Sequence, residues 1–259
     1  MDMNQTESRK YLIQELLKEE PRYRRIAVPE EVQEQKDLLR SLMNVRMPRP
    51  ISDEFLAVQD EYLKEAVAER GITRLDELTP VEGDLYLWKG DITTLECDAI
   101  VNAANSGMLG CFRPLHNCID NCVHTYAGIQ LRLKCAEIMD TQGCEEPTGQ
   151  AKITPAYNLP SRYVIHTVGP IVDGVLRQEH CELLGSSYRS CLDTAAENGC
   201  GSIAFCCIST GVFGFPKREA AEIAVETVKA WKREKNSRMK VIFNVFGYED
   251  LTIYQNLLR

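Results

Sequence analysis

Ser202-Ile203-Ala204-Phe205-Cys206-Cys207-Ile208 runs directly into Ser209-Thr210-Gly211-Val212-Phe213-Gly214-Phe215-Pro216, and residues 217–235 continue with helical periodicity. The first seven residues are apolar or small and carry no charge, as a strand buried on both faces requires. Gly211 and Gly214 then let the backbone curl with its N–H groups pointing inward, and Ser209 and Thr210 add hydroxyls. That chemistry suits a phosphate or diphosphate, although glycine-rich turns between strand and helix also occur as plain connections. The loop is neither a Walker A sequence nor a G-x-G-x-x-G fingerprint, because the lysine and the glycine spacing are wrong.

The same alternation extends outward from this unit. Segments 85–88, 98–103, 153–157, 163–168 and 240–246 read as further short strands, joining 202–208. Helices are expected at 119–139, 179–198, 217–235 and 249–258. Strands alternating with helices of this length predict an α/β layered domain with a mostly parallel sheet. Ligands in such folds bind at the carboxyl ends of strands, where the 209–216 loop falls.

Residues 1–80 read differently. Segments 8–20, 30–45 and 53–70 are charged, free of glycine and apolar at helical spacing, as in Leu12, Leu16 and Leu17, then Leu38, Leu39 and Leu42. Ser52 is placed to cap the third helix and Gly71 to end it. These features predict a helical N-terminal extension packed on a main domain of residues 81–259. The extension holds no catalytic constellation.

A chain of 259 residues has room for both parts. Its net charge of −8 argues against a general nucleic-acid or anionic-membrane surface, but not against one anionic ligand held by loop amides. No secretory h-region opens the chain and no run is long enough to span a bilayer. The eleven cysteines are unevenly spread and are expected to be reduced thiols in a cytoplasmic protein.

Two of those cysteines lie in Cys111-Phe112-Arg113-Pro114-Leu115-His116-Asn117-Cys118, a C-x4-H-x-C pattern on a proline-stiffened loop. Two thiols and an imidazole suit Zn²⁺, and three ligands leave one position open for water or substrate. Taken alone, the same residues also read as half-buried cysteines beside a surface histidine. Cys122, one helical turn beyond Cys118, could supply a fourth thiolate and close the site.

Gly90-Asp91-Ile92-Thr93, then Asp98-Ala99-Ile100-Val101-Asn102-Ala103-Ala104-Asn105, then the 209–216 loop resemble the three ordered signatures of macrodomains. Those are ADP-ribose-binding α/β/α modules with a mixed sheet. Most ADP-ribosyl-hydrolysing macrodomains carry a run of glycines where this chain has the cysteine loop. The continuation Ile119-Asp120-Asn121-Cys122-Val123-His124 still parallels the family pattern. That replacement resembles the zinc-dependent macrodomains, bacterial and fungal protein-ADP-ribose hydrolases often associated with sirtuin-type ADP-ribosyltransferases. The resemblance covers about residues 81–259. It implies a three-layer α/β/α fold, one Zn²⁺ on Cys111, His116 and Cys118, and ADP-ribose or mono-ADP-ribosylated protein as partner.

The resemblance also assigns roles. Asp91 would accept a hydrogen bond from the adenine amino group beside the Ile92 backbone, and Phe246 would stack on the adenine. Asn105 would point its amide at the distal ribose. Cys118, Ile119, Asp120 and Asn121 would contact the substrate, and Ser209, Thr210, Gly211, Val212, Phe213, Gly214 and Phe215 would hold the diphosphate. Read without the resemblance, Asp91 fits a turn or helix cap and Phe246 fits the core. Asn102 is expected to satisfy loop backbone groups, His124 to pack or hydrogen-bond, and His166 to be a satisfied core residue.

The reaction so implied breaks the bond at the anomeric carbon of the distal ribose, through oxocarbenium-like character. Asp120 is the one carboxylate in the right loop, a candidate to orient water, accept its proton or hold a ribose hydroxyl. The metal would supply the electrophilic role, and Asn105 would assist. Two other functions use the same residues: a non-catalytic ADP-ribose reader with a structural zinc clip, and a hydrolase of free O-acyl-ADP-ribose.

Overall fold

The computed structural model describes residues 3–258. Helices α1 (Gln5–Glu19), α2 (Val32–Val45) and α3 (Asp53–Arg70) open the chain. Ser52 Oγ accepts from the Phe55 N–H at 3.2 Å and Gly71 ends α3, as the sequence suggested. Their apolar stripes merge into one cluster around Leu12, Ile13, Leu39, Phe55 and Leu63. Helices of this length are marginal alone, so this burial, roughly 1.5–3 kcal/mol per large side chain, holds them together. Ile129 from the main body completes the cluster and ties the extension down.

The rest of the chain runs β1 (Thr73–Arg74), β2 (Pro80–Glu82), β3 (Leu85–Lys89), β4 (Leu95–Glu96), β5 (Ala99–Ala104), α4 (Ile119–Ala127), α5 (Ile129–Gln142) and β6 (Ala151–Pro155). It continues with β7 (Tyr163–Val168), α6 (Gln178–Glu197), β8 (Ser202–Phe205), α7 (Lys217–Lys235), β9 (Lys240–Val245) and α8 (Tyr248–Leu257). Seven strands form one mixed sheet in the order β2-β3-β9-β8-β5-β7-β6. The five central strands are parallel, while β2 and β6 run antiparallel at the edges.

Strand register assigns the layers. Phe205 pairs with Phe243, and on that face Tyr188 of α6 packs on Phe205 while Tyr254 of α8 packs on Phe243. Ile100 pairs with Ala204, so Asn102, two residues on, faces the opposite side together with its register partner His166. There it meets α4 through Asp120. The architecture is a three-layer α/β/α sandwich.

Two sequence expectations change. The single helix expected at 119–139 is two helices, α4 and α5, broken at Gly128. Gly128 sits at φ 96°, ψ 170°, a region open almost only to glycine. The backbone groups freed by the break are taken up by side chains: Asn158 Nδ2 donates to Ala127 O, and Gln59 Oε1 accepts from the Ile129 N–H. The strand expected at 202–208 ends at Phe205, leaving Cys206–Ile208 to lead into the glycine loop. No described helix is long and apolar enough to cross a membrane.

Because β3, β9, β8 and β5 are parallel, their carboxyl ends share one rim. Gly90-Asp91, Phe246, the 206–216 loop and the 105–118 loop all start there.

Candidate active site

At one end of the rim, Asp91 caps a short turn, its Oδ1 accepting from the Thr93 N–H at 2.9 Å and the Thr93 hydroxyl at 2.7 Å. Arg70, the last residue of α3, donates to Asp91 Oδ2 at 2.8 Å and lies over the Tyr126 ring. The cap reading of Asp91 is thus realised, and the carboxylate remains partly exposed at the rim. The Ile92 side chain is buried in the core, leaving only its backbone for a ligand. Phe246, just past β9, is 82% exposed, which removes it from the core and presents a free aromatic face.

The 209–216 loop is tightly wound. Ser209 is buried at φ 65°, Thr210 spends its hydroxyl on Cys207 O, and Phe215 N donates to Ser209 O. Phe215 itself is a core residue, so its side chain contributes no ligand contact. Among the described residues, the N–H groups of Gly211, Val212 and Phe213 have no backbone acceptor. Three consecutive N–H groups without a backbone acceptor are donors of the kind that suits an anion.

The cysteine loop gathers its donors as the spacing suggested. One ligand atom from each of Cys111, His116 and Cys118 lies within 4.8 Å of the others, with Cys111 Sγ 3.5 Å from His116 Nδ1. Cys122 falls outside this set, its sulfur 3.8 Å from Arg40 Nη2. Cys118 also caps α4, accepting from the Asn121 N–H at 3.4 Å. Burial pushes the Cys118 thiol up to about 12, with Cys111 and Asp120 adding to the shift. A metal binding there must therefore displace a proton. Gly110 enters the loop at φ 83°, where a Cβ would stand 2.8 Å from the His124 ring. Only glycine allows that approach.

The Asp120 side chain is 7% exposed and turned toward the sheet. Asn102 Nδ2 donates to Oδ1 at 2.8 Å, and Asn105 Nδ2 donates to Oδ2 at 3.2 Å. Burial raises the Asp120 carboxyl to about 6, opposed by Asn102, the Arg132 charge and Asn105. Asn102 is therefore a carboxylate holder rather than a loop-backbone partner. Its Nδ2 also lies 3.1 Å from His166 Nδ1, and His166 Nε2 lies 3.0 Å from Thr154 Oγ1. An amide donor at Nδ1 leaves the proton on Nε2, so His166 is neutral, as burial also dictates by lowering it to about 3. His124 and Cys135 approach His166 from the same interior. Neither ring nitrogen of His124 has a hydrogen-bond partner, and its Nε2 stands 3.6 Å from Asp120 Oδ1.

Asn105 is exposed at the rim, its Nδ2 shared between Asp120 and Gly110 O. The Asn121 side chain, expected to contact substrate, is consumed by the loop: Nδ2 donates to Arg113 O at 2.9 Å and Cys111 O at 3.2 Å. Sequence reasoning missed Arg70, Arg40, Asn44 and Arg132. Their partners lie 21 to 89 residues away, so no local pattern signals them.

Residues 101–224 match the Macro domain family model. The chain belongs to the macrodomain family. It is 60% identical over 260 residues to a protein-ADP-ribose hydrolase of Treponema medium, covering 99% of this chain and 100% of that one. A protein-ADP-ribose hydrolase of Staphylococcus aureus (strain MSSA476) is 49% identical over 95% of this chain and 92% of its own. Among solved structures, a Trypanosoma brucei macrodomain in complex with ADP-ribose superposes with a TM-score of 0.67 at 28% identity, covering 85% of this chain and 95% of that one.

Proposed function

We propose that this chain is a zinc-dependent hydrolase that removes mono-ADP-ribose from modified protein side chains by cleaving at the anomeric carbon of the distal ribose. The observation that carries the reading is the convergence of a three-donor soft-ligand cluster with a free-amide loop on one rim. Its near full-length relatives named protein-ADP-ribose hydrolase support the reaction class. The donor set fits zinc. Tetrahedral coordination at the usual Zn–S and Zn–N lengths sets ligand atoms about 3.4–3.8 Å apart. The Cys111–His116 separation of 3.5 Å already lies in that range.

Asp91 and Phe246 would hold the adenine, one by its amino edge and the other by its face. The Gly211–Phe213 amides would take the diphosphate, fixing the distal ribose against the cysteine loop, so that remote binding energy serves the reacting carbon. Zinc on Cys111, His116 and Cys118 would supply Lewis acidity at that ribose. Asn105 would present its amide there, oriented by Asp120 and Gly110 O. Asp120, raised to about 6, would orient Asn105 and could accept a proton near neutral pH directly from a bound hydroxyl or water, leaving the Asn105 amide unchanged. The opposing enzyme would be a sirtuin-type ADP-ribosyltransferase, a partner that rests on the sequence resemblance alone.

Metal content and turnover of mono-ADP-ribosylated protein test this together. Wild type should carry close to one zinc per chain. Cys111→Ala, His116→Ala and Cys118→Ala should each lose most of it along with turnover, while Cys122→Ala keeps both. Demetallated protein should still bind ADP-ribose. Undiminished turnover after complete zinc removal would overturn the proposal, and ADP-ribose binding with no turnover in zinc-loaded protein would make the chain a reader.

A further inference from the structure

The cysteine loop does little to hold itself in shape. Leu115 sits at φ 55°, a conformation that branched side chains seldom adopt, and the turn around it leaves backbone groups needing outside partners. Two of those partners come from α2, more than 70 residues earlier. Asn44, 1% exposed, accepts from the Leu115 N–H at 3.1 Å and donates from its other side-chain atom to Thr125 Oγ1 at 2.9 Å. It thereby bridges the loop to α4. Arg40 Nη2 lies 2.8 Å from His116 O and 3.0 Å from Asn121 Oδ1, with Asn117 Oδ1 at 3.3 Å. Asn121 in turn grips Cys111 O and Arg113 O from beneath. At the loop entrance Arg132 joins Leu109 O to the end of α2 through Met43 O and Arg46 O.

We propose that α2 is an outer brace of the metal centre, with Arg40 and Asn44 as positioning residues that hold residues 113–118 in the conformation that gathers the three ligands. This rests on the zinc reading above. The N-terminal extension then presets the ligand geometry that the loop sequence leaves open. Arg40 touches the carbonyl of the ligand His116 itself, so its loss frees that residue directly. Removing an outer partner of a ligand typically weakens metal affinity by about 10–100-fold.

The test uses the full-length chain and measures zinc affinity by competition with a chromophoric chelator. Arg40→Met keeps the aliphatic stem and removes the donors. It should bind zinc roughly 10–100-fold more weakly while binding ADP-ribose as wild type does, which reports an intact fold. Arg40→Lys retains one charged donor without the planar fork and should fall between the two. Zinc affinity unchanged in both Arg40→Met and Asn44→Ala, with wild type binding zinc, overturns the brace alone. Wild type that takes up no zinc overturns the zinc reading and the brace with it. Should Arg40→Met fail to fold, Arg40→Lys carries the same comparison: weakened zinc with ADP-ribose binding intact supports the brace, and unchanged zinc overturns it.

Discussion

At its end of the rim, Asp91 accepts from Arg70 at 2.8 Å and from Thr93 at 2.9 Å, so its carboxylate is aimed before any ligand arrives. Asp91→Ala should lower ADP-ribose affinity by about 1.5–3 kcal/mol, the size of a charge-assisted hydrogen bond, when followed by calorimetry. Turnover at saturating substrate should change less, because adenine is remote from the reacting carbon. Asp120→Ala, in contrast, should lower kcat by roughly 10²–10⁴ with zinc content near wild type. Asp120→Asn should be nearly as slow if a proton moves, and milder if the carboxylate only orients Asn105. Normal kcat in the alanine variant, with zinc bound, would strip Asp120 of its role. Both aspartates stand out in the sequence because each lies in a motif, and the structure places Asp91 at the rim and Asp120 against Asn102. Asn102 was misread because its partner His166 is delivered by β5–β7 pairing, which no local spacing announces.

Among elements, the strands at 163–168 and the helices at 53–70 and 217–235 coincide with their sequence patterns, since apolar periodicity alone defines them. The short strands β1, β2 and β4 were not read, because two or three residues carry no period. The α4–α5 break was missed for a different reason: the helical stripe continues across it, from Val123 and Ala127 to Leu131 and Cys135. Only the long-range contacts of Gln59 and Asn158 reward the interruption. Gly128→Ala should therefore destabilise the chain by about 1–3 kcal/mol in urea unfolding, through strain at a glycine-only conformation. A Cβ there would also meet Gln59 Nε2 at 2.7 Å. A neutral or stabilising result would mean that the two helices can merge without loss.

For the whole molecule, two buried imidazoles contribute to the acid response. Burial lowers His166 to about 3 and holds His124 well below the ordinary imidazole value. The unfolded chain takes up those protons near pH 6.5, whereas the folded chain refuses them until far lower pH. Their contribution to stability is complete above about pH 6.5 and is lost as pH falls toward the folded values. Asp120, shifted upward, works in the opposite sense, so the informative comparison is between wild type and His166→Gln. Between pH 6.5 and 4 the Tm of wild type should fall more steeply than that of the variant; parallel slopes would exclude His166 from the acid-sensitive groups. The helical extension also bears on how the molecule opens. Ile129 belongs to its apolar cluster, and Asn44 and Arg40 reach across to Leu115 and His116. A surface loop ordinarily exchanges its amide protons almost freely. Here the Leu115 N–H is held by Asn44 of α2, so that amide should exchange in step with the first three helices, as part of one cooperative unit assembled from two distant stretches of chain.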